Sequence, residues 1–136
     1  MSMGAAGTRQ TILCVDDNQI HCYAITRSLQ HSGYATLVAG TGAEAVAQAR
    51  TNKVDLVLLD VNLPDFDGFE VCKRIKSDPQ TSRIPVIFHT ATSANATTSL
   101  RAEMVGGAAF LTVPIEPDEL LTVIQGCLER AASDGR

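Results

Sequence analysis

The chain has 136 residues, 45% of them hydrophobic, and a formal net charge of −4. This length suits one domain that can bury its own core, and the acidic balance gives no electrostatic reason to bind nucleic acid or an anionic membrane surface. No apolar stretch approaches the roughly 20 residues that span a bilayer, and residues 1–10 lack the apolar core of a signal peptide, so we expect a cytoplasmic protein.

The two ends of the chain differ in composition from the middle. Residues 1–9 are small and rich in Gly and Ala, which predicts a flexible lead. One domain is expected over residues 10–131, with a flexible tail over 132–136. The four cysteines show no C-x-x-C spacing and fall mostly among apolar residues, so buried free thiols are expected rather than disulfides or zinc ligands.

The first half of the domain reads as two strand-helix units. An apolar strand is predicted over 11–15, followed by a helix of about four turns that Gly33 ends. A second strand is predicted over 34–39. The capping-box sequence that starts at Thr41 then opens an Ala-rich helix that ends near residue 52.

The second half continues the same alternation. The apolar run 54–60 predicts a third strand, and helical spacing from Gly68 predicts a helix that stops before Asp78-Pro79. Residues 84–89 form the fourth predicted strand. A weak helix, rich in Thr and Ser, is predicted over 94–105.

The last strand and helix complete a fifth unit. Residues 108–113 predict a strand, and Pro117 suits the first position of a final amphipathic helix. Five alternating units joined by right-handed crossovers predict an α/β fold, in which helices cover both faces of one doubly wound parallel sheet. The carboxyl ends of all the strands then share one edge, where ligands bind in such folds.

Acidic residues follow two of these strands. Asp16 and Asp17 close the first strand, Asp60 closes the third, and no Lys or Arg stands beside either position. We therefore expect three carboxylates to gather at one edge of the sheet. Such a cluster suits Mg²⁺, which takes one or two carboxylates together with water and phosphate oxygens, and so it indicates phosphoryl chemistry.

The residues that follow the strand ends form an ordered set. Asp60 has Pro64 four positions later, Gly68 eight later and Thr90 thirty later, and an aromatic residue, Phe110, precedes Pro114 at the fifth strand. Together with the acidic pair, this set resembles the receiver (CheY-like) domain of two-component response regulators, over about residues 10–130. The resemblance implies a flavodoxin-like (βα)₅ fold with strand order 2-1-3-4-5.

The resemblance also implies roles for these residues. Asp60 corresponds to the phosphoacceptor, which takes a phosphoryl group from a phosphohistidine on a histidine kinase or a histidine phosphotransfer protein. The implied cofactor is Mg²⁺, bound by the carboxylates of Asp17 and Asp60 and the backbone carbonyl of Asn62, while Asp16 acts through a water or by orienting Asp17. Thr90 resembles the phosphoryl-binding switch hydroxyl, and Phe110 the aromatic switch that moves with it.

One part of the family pattern is missing. The family places a Lys before the strand-five proline, whereas this chain has Val113. The lost charge-assisted bond is worth roughly 1.5 to 3 kcal/mol, or about 10 to 100-fold in rate or affinity. We expect Asp60 still to be phosphorylated, with more reliance on Mg²⁺ and looser coupling to Thr90 and Phe110.

Three functions compete on this evidence. The first is a signalling receiver, whose face formed by helix 4, strand 5 and helix 5 binds a downstream protein. It is not expected to be an enzyme beyond slow self-phosphorylation and self-dephosphorylation. Val113 favours the second, a phosphorylation-independent pseudo-receiver that acts as an adaptor. A phosphatase of the D-x-D type ranks below both. Such an enzyme has its nucleophile on the first strand and a general acid two residues later, and Asp16-Asp17-Asn18 does not supply that order. No direct contact with nucleic acid or membrane is expected, and homodimer formation is left open.

The three histidines give no ligand spacing in the sequence. His21, His31 and His89 are scattered, and solvated or core positions are expected for them. His89 precedes Thr90 in a predicted strand, so the two side chains are expected on opposite faces of the sheet and His89 away from the phosphoryl group.

Overall fold

The structure is a computed structural model that describes residues 9–90, 96–112 and 115–134. The elements alternate along the chain as β1 (Thr11–Val15), α1 (Gln19–His31), β2 (Ala35–Ala39), α2 (Gly42–Thr51), β3 (Leu56–Asp60), α3 (Gly68–Ser77), β4 (Val86–Thr90), α4 (Ala96–Met104), β5 (Ala109–Thr112) and α5 (Pro117–Asp134). Most of the predicted lead, together with Val113, Pro114 and the last two residues, lies outside the described residues.

The five strands form one parallel sheet in the order β2-β1-β3-β4-β5. This is the order that the family resemblance implies, and the predicted fold class is confirmed. In the register, Val15 lies beside Leu59, and Asp60 lies beside His89. The residues that follow β1 and β3 therefore emerge next to each other at the carboxyl edge of the sheet.

Alternating side chains build a core on each face of the sheet. One face, with Leu13, Val57 and Phe88, packs against apolar residues of α2, α3 and α4. The other face, with Ile12 and Ile87, packs against α1 and α5. All four cysteines are buried and, as predicted, none belongs to a disulfide among the described residues.

Local hydrogen bonds set where several elements begin and end. Helix α1 begins at Gln19 because the side chain of Asn18 caps it, accepting the His21 N–H. It ends in a turn where Gly33 has φ +98° and the Tyr34 N–H donates to Leu29, so β2 starts one residue later than predicted. Helix α5 continues to Asp134, within the predicted tail, and the domain limits stay a prediction.

Within the described ranges, none of the helices combines the length and the apolar character that crossing a membrane requires.

Candidate functional site

The three predicted carboxylates meet at the carboxyl edge of the sheet. One oxygen from each of Asp16, Asp17 and Asp60 lies within 4.8 Å of the others. Asp16 is buried at 3% exposure, Asp60 is half-buried at the end of β3, and Asp17 is exposed. The cluster therefore has a buried base and an open side, and its donors are all oxygens, which fits a hard divalent cation such as Mg²⁺. Their roles as ligands stay a prediction.

Burial and neighbouring charge make Asp60 easier to protonate. Loss of solvent, together with the nearby carboxylates of Asp16 and Asp17, raises its pKa to about 6, against the lowering effect of the backbone N–H groups of Asn62 and Val61. The Asn62 N–H lies 3.3 Å from Asp60 Oδ1. Three negative groups converge here, so a cation at this point relieves their repulsion.

The loop after Asp60 is held at both ends by hydrogen bonds. The Gly68 N–H donates to the Val61 carbonyl at 2.8 Å, and Asp67 caps the first turn of α3. In the middle of the loop, Asp65 accepts the backbone N–H of Gly42 at 2.8 Å, at the start of α2. The loop is thus tied to the beginnings of two helices, and Asp60 sits on a supported backbone.

Gly68 allows α3 to approach the end of β3 very closely. A Cβ atom built at this position would lie 2.4 Å from the backbone oxygen of Asp60 and 2.9 Å from the Cα of Val61. Both are backbone atoms, so a side chain here would have to displace the strand end itself. Gly68 formed part of the predicted motif, and this close approach is the physical reason for it.

Both oxygens of Asp16 already have partners. Oδ1 accepts the Asn18 N–H at 2.9 Å, and Oδ2 lies 2.5 Å from Nδ1 of His21. His21 has no metal-ligand spacing to the other histidines in the sequence, so spacing did not predict its contact with Asp16. The signal that could have found it is its place in the first turn of α1, which returns directly over the end of β1.

Thr90 and Phe110 lie in neighbouring strands, on β4 and β5. Thr90 is 2% exposed at the end of β4 and lies beside Thr112 in the register. Phe110 is partly buried and packs against Phe88, with ring centroids 6.2 Å apart. Its ring belongs to the aromatic part of the core, and the two switch roles stay predictions.

One lysine, Lys76, lies away from the carboxylates of Asp16, Asp17 and Asp60. Lys76 Nζ donates to the carbonyl of Ser82 at 3.2 Å and to that of Ile84 at 2.6 Å, before the start of β4. It therefore binds backbone oxygens at the opposite edge of the sheet. Val113, where the family has its lysine, lies outside the described residues.

Comparisons with known proteins agree with this geometry. The family model described as the response regulator receiver domain matches residues 12–125. The chain is 36% identical over 117 residues to Protein PilH of Pseudomonas aeruginosa, which covers 86% of this chain and 96% of that protein. It is 35% identical to the alkaline phosphatase synthesis transcriptional regulatory protein PhoP of Bacillus subtilis over 88% of this chain, but spans only 49% of that longer regulator.

Solved structures show the same likeness. A CheY-like receiver domain protein from Methanospirillum hungatei matches with a TM-score of 0.86 and 25% identity, covering 93% of this chain and 98% of that chain. The receiver domain of a sensor histidine kinase from Pseudomonas aeruginosa, described with a magnesium ion coordinated in its active-site cleft, matches with a TM-score of 0.81 and 27% identity, covering 89% and 98%. The predicted resemblance is confirmed.

Proposed function

This chain belongs to the family of response regulator receiver domains, and we propose that it is a phosphoacceptor of a two-component phosphorelay in the cytoplasm. Receiver domains are signalling modules rather than enzymes in the ordinary sense. In this proposal Asp60 takes the phosphoryl group from a phosphohistidine on a histidine kinase or a histidine phosphotransfer protein. The observation that supports it most is the convergence of Asp16, Asp17 and Asp60 at the ends of two neighbouring strands.

The proposed transfer is an in-line displacement at phosphorus. An oxygen of Asp60 forms a bond to phosphorus as the bond from phosphorus to the donor imidazole nitrogen breaks, and that nitrogen keeps the electron pair. The products are an aspartyl phosphate and an imidazole, which is neutral because its other ring nitrogen carries a proton, either already bound in the donor or taken from water. Asp60 must be ionised to attack, and with a pKa of about 6 most of its carboxyl group is ionised at neutral pH.

The carboxylates of Asp17 and Asp60 would hold Mg²⁺, with the backbone carbonyl of Asn62 as a further oxygen. When bound, the ion supplies neutralisation of charge on the phosphoryl oxygens. Asp16, whose two oxygens already have partners, orients Asp17 and adds negative charge beneath the metal site. Thr90 and Phe110 are proposed to respond to the phosphoryl group, Thr90 by its hydroxyl and Phe110 by moving with it.

Exposed apolar residues support two protein-binding surfaces. Ile20 is 84% exposed and Tyr23 is 61% exposed in the first turns of α1, next to the acidic cluster. We propose that the phosphohistidine protein docks there, since its imidazole must reach Asp60. On α4, Leu100 and Met104 are exposed and one turn apart, which suits a downstream protein that binds the α4, β5 and α5 face.

Intact-mass measurement after incubation with acetyl phosphate and Mg²⁺ tests the phosphoacceptor role. The wild-type chain is expected to gain one phosphoryl group, and Asp60→Asn none. Asp118→Asn, in the first turn of α5, is the matched control and should be modified like the wild type. An unmodified wild-type chain at saturating Mg²⁺, or equal modification of Asp60→Asn, would reject Asp60 as the acceptor.

Val113 favours a second candidate, an adaptor that binds its partner without phosphorylation. The two candidates differ in what Asp60→Asn does to partner binding. For a phosphoacceptor, the variant loses the change in affinity that acetyl phosphate produces in the wild type. For an adaptor, wild type and variant bind equally, with or without the phosphodonor.

A further inference from the structure

His89 is buried in the sheet without a hydrogen-bond partner. It lies in β4 at 2% exposure, and neither ring nitrogen has a partner within the described part of the chain. A buried polar group without a partner carries a desolvation cost, so most such groups in proteins are satisfied. The imidazole of His89 therefore calls for a ligand that binds nitrogen.

Two other side chains face the same point. The rings of His21 and His89 lie 5.6 Å apart between centroids, and His21 Nδ1 contacts Asp16 Oδ2. One ligand atom from each of the three residues lies within 4.8 Å of the others. The three residues come from the end of β1, the first turn of α1 and the end of β4, so packed secondary structure positions all of them.

We propose that Asp16, His21 and His89 form a second metal site, which binds a borderline-soft divalent cation such as Zn²⁺. Two imidazole nitrogens and one carboxylate oxygen are a donor set that Zn²⁺ takes in proteins, with a fourth position left for water. The neighbouring Asp16, Asp17 and Asp60 group offers oxygens alone and suits Mg²⁺, so ligand type separates the two sites.

The surroundings of the ligands agree with a metal of this kind. The His89 ring is buried and neither of its nitrogens has a hydrogen-bond partner among the described residues, so a nitrogen is available to bind a cation. The His21 side chain is 34% exposed and gives access from solvent, whereas Asp16 is buried.

Asp16 belongs to both groups, and this couples the two cations. Zinc on the Asp16 oxygen that faces His21 places positive charge beside Asp17 and Asp60 and opposes the binding of Mg²⁺ there. By linkage, Mg²⁺ must weaken zinc binding by the same factor. Zinc would thus act as an inhibitor of magnesium-dependent chemistry at Asp60, through a site that holds no phosphoryl group.

Calorimetric titration of the full chain with ZnCl₂ tests the site, with Co²⁺ absorption as a report on nitrogen ligands. The wild type is expected to bind one equivalent. His89→Leu and His21→Leu should each weaken binding by at least about tenfold, since even partners outside the ligand shell often cost 10 to 100-fold. His31→Leu, an exposed histidine at the other end of α1, should bind like the wild type.

The two nearby thiols need a separate control. Cys14 and Cys22 lie with their sulfurs 3.3 Å apart and could bind zinc themselves, so a Cys14→Ala, Cys22→Ala variant is titrated in parallel. It is expected to keep its zinc site. His89→Leu in EDTA is expected to be at least as stable as the wild type, because it removes an unsatisfied buried group, so its lost zinc binding is not a folding failure.

Three results would overturn the proposal. These are no zinc binding by the wild type, unchanged binding by both His21→Leu and His89→Leu, and loss of binding only in the thiol variant. Magnesium affinity that is unchanged by saturating zinc would remove the shared role of Asp16. None of these results bears on phosphorylation of Asp60 by acetyl phosphate in EDTA-treated protein resupplied with Mg²⁺, so the two proposals fail separately.

Discussion

The surroundings of Asp60 destabilise its ionised form. It is half-buried, and two further carboxylates lie within 4.8 Å. Stability alone would favour a neutral side chain here, whereas phosphoryl transfer needs the anion. The cost is therefore evidence that the site serves chemistry or cation binding rather than folding.

The raised pKa of Asp60 predicts a pH-dependent cost to stability in the absence of metal. An unfolded Asp has a pKa of about 3.9, and the folded value is about 6. The folded chain binds more protons between these values, so the contribution of Asp60 is full below pH ~4 and is lost as pH rises through ~6. Asp60→Asn should be more stable than the wild type by about 1 to 2 kcal/mol at pH 8, after discounting for solvent screening.

Urea unfolding in EDTA at several pH values measures this difference. The advantage of Asp60→Asn should shrink as the pH falls toward 4. Glu129→Gln removes the same charge from an exposed position of α5 and is expected to show no such trend. An advantage for Asp60→Asn that does not vary between pH 4 and 8 would contradict the raised pKa.

At the scale of elements, the segment between β3 and α3 sets the position of Asp60. Its end is fixed by Gly68, its middle by the contact of Asp65 with α2, and its last residue, Asp67, caps α3. Arg101 of α4 also reaches Asp67, at 3.4 Å. Three helices, α2, α3 and α4, thus support the backbone position of Asp60.

Gly68→Ala is expected to damage both stability and the site. Its Cβ would meet the backbone of Asp60 at 2.4 Å, so the strand end must move. We expect a loss of about 2 kcal/mol or more, together with slower phosphorylation by acetyl phosphate. Gly126→Ala, in the middle of α5 with Arg130 3.5 Å away as nearest contact, should instead gain about 0.5 to 1 kcal/mol.

Chemical denaturation and a phosphorylation time course on both variants measure these effects. The comparison controls for the general effect of adding a methyl group at glycine. Equal stability changes in the two variants would show that the close approach at Gly68 has no cost.

At the scale of the whole molecule, Mg²⁺ should act as a stabilising ligand. In the proposed function Mg²⁺ binds the folded carboxylate cluster and relieves the repulsion, so stability is expected to rise with ligand concentration. At ten times the dissociation constant the gain is about 1.4 kcal/mol, or roughly 3 to 6 °C in Tm. Scanning calorimetry with MgCl₂ against NaCl of equal ionic strength measures it, and Asp17→Asn should respond weakly. An equal rise in Asp17→Asn would argue for an effect of salt.

The exposed start of α1 is expected to affect phosphoryl transfer from protein donors only. The double variant Ile20→Ala, Tyr23→Ala is expected to slow transfer from a phosphorylated histidine phosphotransfer protein by about tenfold or more, because anchors of this kind dominate interfaces. Its reaction with acetyl phosphate should be unchanged, since that donor needs no docking surface. Leu100→Ala, also exposed but on α4, serves as the control and should react normally with both donors. Equal slowing with both donors would place the defect in the site itself.

The fold and the acidic cluster could be predicted because both follow from short-range patterns. Apolar runs alternating with helical spacing dictate a parallel sheet, and in such a sheet the carboxyl ends of β1 and β3 reach the same edge. The acidic residues at those ends therefore had to meet. Element ends moved by one or two residues where a turn decided them, as after Gly33, where β2 begins at Ala35.

The contacts that tune the site depended on packing between distant segments. His21 and His89 are 68 positions apart along the chain, and the packing of α1 on the sheet brings their ring centroids to 5.6 Å. Asp65 contacts the start of α2, 23 positions away, and the spacing of these residues holds no local sign of it. The spacing of apolar residues indicates which side of an element faces the core. The distance and angle at which two elements pack depend on the packing of the whole chain.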